Sequence, residues 1–121
     1  MTDQLTLDYD LDPHEARVLS VLRSHRGRAR AIRVDDLGRL IGTSGREVQE
    51  IVHRLRIEHG VAIASAAGKP AGYYLVETTA ELEQCYHEHR SKALSTLAAM
   101  AALRRVALPE LLGQLAIEVA R

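Results

Sequence analysis

A single residue, Thr43, separates a glycine suited to ending one helix from a serine suited to starting the next. Gly42 can take the left-handed backbone that closes a helix. Ser44 can accept a hydrogen bond from a free amide of the first turn, and Glu47 completes the S-x-x-E capping-box pattern. Before the joint, Asp35 and Asp36 sit where the first turn of a short helix favours negative charge. Leu37, Leu40 and Ile41 of that helix are expected to face inward. After the joint, Val48, Ile51, Val52 and Leu55 recur at helical spacing, which predicts an amphipathic helix over residues 44–58 that ends before Gly60.

The elements on either side follow from the same kind of signal. Asp12-Pro13-His14-Glu15 combines an N-cap, a proline at the first helical position and a capping-box glutamate. It predicts a first helix to about His25, with Val18, Leu19, Leu22 and Val21 inward and Gly27 as its stop. Arg26–Arg30 reads as a basic loop and Ala31–Val34 as a very short strand. Val61–Ser65 and Tyr73–Val76 read as two strands around the turn-rich 66–72 loop. Thr78-Thr-Ala-Glu81 is a third capping box, opening a long helix to about Arg105, and Pro109 starts a short last one. The fold class expected is mainly α, a small α+β arrangement. Its divisions are an acidic leader at 1–11, a helix-turn-helix domain with a hairpin at 12–77 and a helical extension at 78–121.

The sequence of 121 residues contains no Phe and no Trp, so the core must be aliphatic. No apolar run is long enough to span a membrane, and the start, Met1-Thr-Asp-Gln, shows neither the basic nor the apolar region of a signal peptide. The lone Cys85 cannot form an internal disulfide, which favours a cytoplasmic setting. Sixteen basic and sixteen acidic side chains give a formal net charge of zero. That balance is uneven along the chain. The leader and first cap hold Asp3, Asp8, Asp10 and Asp12 with no basic residue, whereas the middle, residues 14–76, has an excess of arginine. Arginine suits phosphates and base edges because its fork is bidentate. The leader's aspartates are expected to compete for that basic face.

Residues 14–76 resemble a winged helix-turn-helix, and are similar to the N-terminal DNA-binding domain of the biotin-ligase repressors. The resemblance rests on Asp36-Leu-Gly-Arg-Leu-Ile-Gly-Thr-Ser-Gly-Arg-Glu-Val48, on Ile51-Val-His-Arg-Leu-Arg56 and on His59-Gly-Val-Ala-Ile-Ala-Ser65. It extends to Gly68-Lys-Pro-Ala-Gly-Tyr-Tyr-Leu75. The chain leaves no room for the ligase catalytic domain, so no enzyme activity is expected. The resemblance implies duplex DNA as partner, with the 44–58 helix in the major groove and the 66–72 wing against the backbone. On the outer face of that helix, Arg46 is suited to guanine, Gln49 to adenine, and His53 lies beside them. Glu50 repels phosphate unless it accepts from a cytosine amino group. Ser44, Gly45 and the amides beside them suit a phosphate at the helix N-terminus. Lys69, Arg28, Arg30 and Arg33 suit further phosphates. Ile57 falls outward unless the helix ends near Arg56 or the wing covers it.

The long helix carries a stripe of Leu82, Tyr86, His89, Ala93, Leu97, Met100 and Leu103, and the last helix carries Leu111, Leu112 and Leu115. These are expected to form a two-fold homodimer interface, or else to pack within one chain. Cys85 and His89 make at most half a zinc site, so neither a metal nor another cofactor is expected. The reading favoured by the whole pattern is a dimeric transcription regulator. The alternative is a winged-helix interaction module in a replication or partition assembly, without direct base reading.

Overall fold

The computed structural model describes residues 10–120, so all but the end of the expected acidic leader lies outside the described residues. Helix α1 spans Pro13–Leu22, α2 Val34–Ile41 and α3 Gly45–His59. Strands β1 (Ile63–Ala66) and β2 (Gly72–Leu75) form an antiparallel hairpin, followed by α4 (Thr79–Arg104) and α5 (Leu108–Ala120). The protein is a small, mainly helical α+β fold. The chain divides into two compact units, one up to Glu83 and one from Gln84.

In the first unit, Val18, Leu19 and Leu22 of α1 meet Leu37 and Ile41 of α2 and Val48, Ile51, Val52 and Leu55 of α3. Ile32, Val61, Ile63 and Tyr73 complete the core. Burying a side chain of this size is worth roughly 1.5–3 kcal/mol. The four α3 residues thus fix the rotation of that helix and decide which residues it turns outward.

The joint between α2 and α3 forms as expected. Gly42 is left-handed, with φ +76°. The Ser44 side chain accepts from the Glu47 amide at 3.2 Å. The capping box is only half made, however, because the Glu47 carboxylate accepts from the Thr43 hydroxyl. A Cβ on Gly38 would lie 2.6 Å from the Thr43 carbonyl oxygen. Backbone packing against Gly38 turns that flank of α2 inward, so Leu37, Gly38 and Ile41 are buried. Leu40, expected inward, is 65% exposed.

Three expected boundaries move. Helix α1 ends at Leu22, short of His25, because the chain leaves it to pair with the hairpin. The Leu75 amide donates to the His25 carbonyl and the Gly27 amide to the Leu75 carbonyl, at 2.9 and 2.8 Å. Gly27 is therefore part of that pairing and not the stop of α1, and a short 3-10 turn follows at Arg28–Arg30. The strand expected at 31–34 shrinks to Ile32, paired with Tyr73, since Val34 already belongs to α2. In the hairpin, Ala66 pairs with Gly72, so the strands take up both ends of the expected loop. Gly72, at φ +120°, packs on the Ile32 carbonyl with no room for a side chain.

The Asp12–Glu15 box is fully formed, with bonds of 3.0 and 2.8 Å. Glu15 is also 96% buried, because it is 4% exposed. Its carboxylate accepts from Arg54 Nε at 3.0 Å and faces His59 Nε2 at 3.4 Å. Burial alone would raise the Glu15 pKa. The Asp12 amide and the Arg54 guanidinium outweigh it and hold the carboxyl below its ordinary value. A lowered folded value means that this contribution is complete above the ordinary carboxylate range and is lost as pH falls. Glu15→Gln should cost about 2 kcal/mol at pH 7, the scale of a hydrogen bond to a charged group. Urea unfolding should also show a shallower loss of stability below about pH 4.5 in the variant than in the parent.

Candidate nucleic-acid interface

The outward side of α3 follows from its inward side. With Val48, Ile51, Val52 and Leu55 buried, the exposed positions include Arg46, Gln49, Glu50 and His53. Together with Arg54 they line one open depression of about 450 Å³. The structure thus brings together the four residues expected on the outer face. Arg46 Nε lies 3.9 Å from Glu50 Oε1, and their side chains are 88% and 61% exposed. Helix α3 continues to His59, and Ile57 is 71% exposed, so neither an early end nor the hairpin covers it.

The other two arginines of α3 are bound into the fold. Arg54 pairs with Glu15 and lies 3.7 Å from Asp12 Oδ2. Arg56 donates through Nε to the Ile63 carbonyl at 2.8 Å and through Nη2 to Ser65 Oγ at 3.3 Å. Its guanidinium also lies 5.5 Å from the centre of the Tyr73 ring, within cation–π range. Burial raises the Tyr73 hydroxyl above its ordinary pKa, partly offset by Arg56. These anchoring roles escape a helical-wheel reading, because each partner is distant in sequence or belongs to a strand edge.

The α3 N-terminus is less open to an anion than its sequence suggests. The Ser44 hydroxyl is engaged by the Glu47 amide. A Cβ on Gly45 would lie 3.0 Å from Asp35 Oδ1 and 3.1 Å from Val34 Cγ1. Gly45 thus permits close approach of the α2 start, and Asp35 already sets a carboxylate beside these amides.

The remaining expected cations are elsewhere. Arg33 and Lys69 share a depression of about 700 Å³ with His25, Asp36 and the 68–71 loop. Arg28 and Arg30 are exposed in the 3-10 turn between α1 and α2. The Arg28 amide donates to Glu81 Oε2 at 2.9 Å, and His25 Nδ1 donates to the Arg30 carbonyl at 2.8 Å. Glu81 also accepts from the Glu77 amide, and these backbone bonds hold its carboxyl below its ordinary pKa. Its capping-box role is thereby extended into a tie between the 3-10 turn and the α4 start.

In the second unit, Ala101 and Leu111 are buried, so Leu111 belongs to the interior of that unit rather than to an available face. Of the other residues expected at a dimer interface, Leu97 and Leu115 are half-buried, and His89, Ala93, Met100, Leu103 and Leu112 are exposed. So is Tyr86; Leu82, likewise exposed, precedes the unit boundary on α4. His89 Nδ1 donates to the Cys85 carbonyl at 2.9 Å and lies 3.6 Å from its sulfur. Among the described residues no three metal-ligating side chains converge, and no helix is long and apolar enough to cross a membrane.

Compared with known proteins, the chain matches no family model, no curated protein and no solved structure.

The Arg56 contacts make the hairpin dependent on α3. Arg56→Ala should lower stability by about 1–2 kcal/mol, from two lost hydrogen bonds at a partly exposed site. Amide exchange should quicken in Ile63–Ala66 more than in α1.

Proposed function

We propose that the protein binds double-stranded DNA as a dimeric transcription regulator of the cytoplasm. Helix α3 enters the major groove and the 66–72 hairpin end lies along phosphates. The observation that carries the reading is the two-sidedness of α3. One side is locked in the core, and the other gathers Arg46, Gln49, Glu50 and His53 around a single open depression. Support also comes from the order of three helices and a hairpin, from the resemblance of residues 14–76 to winged helix-turn-helix domains, and from the cations Arg33 and Lys69 meeting at the hairpin. The exposed apolar residues of α4 and α5 suit a second copy of the chain. A two-fold dimer would set two α3 helices on half-sites about one DNA turn apart.

A second reading, a protein-interaction module in a replication or partition assembly, draws on the exposed Leu40 and Ile57. These side chains gain nothing from a phosphate backbone.

Duplex binding measured against salt separates the two readings. Affinity should fall steeply with salt as counterions are released. Arg46→Ala should cost about 1–3 kcal/mol and loosen sequence preference, whereas Lys69→Ala should weaken all duplexes alike. No duplex binding at about 50 mM salt, within the range where phosphate contacts are strong, favours the interaction module. Sedimentation should show a dimer at micromolar protein; a monomer there removes the two-fold model.

A further inference from the structure

The charges on the outer side of α3 nearly cancel. Arg46 lies within ion-pair distance of Glu50. Arg54, which lines the same depression, is matched by Glu15 and Asp12. Arg56 points its donors at the hairpin. A neighbouring depression is lined by Asp12, Glu47 and Glu50 alongside His14 and Arg54. This side of the helix therefore offers little general attraction to a polyanion. An exposed carboxylate facing DNA loses its water and meets phosphate repulsion, and only a base-edge donor returns that cost. In the major groove the donors are the amino groups of cytosine and adenine. Adenine sets an acceptor, N7, beside its amino group and so suits an amide better than a carboxylate.

We infer that Glu50 is a specificity-determining residue that accepts from a cytosine amino group while Arg46 forks to a guanine nearby. The inference rests on the DNA-binding reading above. Residues four apart on a helix are about 6 Å apart along its axis, and base pairs rise by about 3.4 Å. The two contacts thus fall on G·C pairs one or two steps apart in each half-site. Their charged ends lie within ion-pair distance in the free chain, and the groove separates them onto adjacent acceptors and donors. Glu50 also repels DNA that lacks the cytosine, which keeps random-sequence binding weak.

Selection of the full chain against randomised duplexes tests this. The parent should enrich half-sites with two G·C pairs one or two steps apart. Glu50→Ala should keep the pair read by Arg46, lose preference at the second by about tenfold, and bind random duplex more tightly than the parent. Glu50→Gln should move the second preference toward A·T. Both changes are at an exposed site, and circular dichroism should confirm unchanged helix content. Enrichment by the parent without a second G·C pair, or a second pair unaffected by Glu50→Ala, overturns the inference and leaves the DNA reading standing. No enrichment of any sequence by the parent overturns both.

Discussion

The close backbone crossing at Gly38 is the constraint from which the rest of the first unit follows. A side chain at this position would collide with the Thr43 carbonyl. Without one, the chain can turn from α2 into α3 through Gly42, Thr43 and Ser44 alone. That brings the α3 stripe against α1 and α2, where Val48, Val52 and Leu55 are fully buried. The same packing expels Leu40 and sets the rotation of α3. The presentation of Arg46, Gln49, Glu50 and His53 is therefore a consequence of an aliphatic core and a missing methyl group. These residues need no contacts of their own to be held outward.

Charge is divided between holding the fold and meeting a partner. The arginine excess of the middle segment looks like a nucleic-acid signal when counted along the sequence. In the structure Arg54 and Arg56 serve as anchors, one to α1 and the other to the hairpin, and Arg39 pairs with Asp36 at 3.1 Å. Exposed pairs such as Arg39–Asp36 contribute little. The Glu15–Arg54 pair is different, because Glu15 is nearly inaccessible and its lone pairs are shared between a backbone amide and a guanidinium. Removing Arg54 would leave the buried Glu15 carboxylate without its guanidinium partner, so this pair supports the α1–α3 packing.

The elements most legible in the sequence were those specified by local chemistry. Asp12, Ser44 and Thr78 each cap a helix, Gly42 and Gly60 each close one in the left-handed conformation, and the α3 stripe is buried as its spacing predicts. What was not legible depended on contacts across the chain. The Glu47 and Glu81 carboxylates bond outside their capping boxes, to Thr43 and to the Arg28 and Glu77 amides. Helix α1 gives up its last expected turn because His25 and Gly27 find backbone partners on Leu75. For the candidate site, the outer α3 residues were readable from helical phase alone. That Arg54 and Arg56 anchor the fold was not, because phase cannot say which partner a long side chain will reach.

That anchoring changes what the whole-chain neutrality means for a DNA-binding reading. A protein relying on long-range attraction would keep its cations exposed on the groove-facing helix. Here α3 presents a near-neutral surface, while the shared depression of Arg33 and Lys69 lies at the hairpin. Affinity and discrimination would then come from different elements, phosphates held by the hairpin and the segment before α2, and base edges by α3. The separation has a physical advantage. Phosphate contacts stabilise every duplex alike, so keeping them away from α3 leaves the contribution of that helix dependent on sequence.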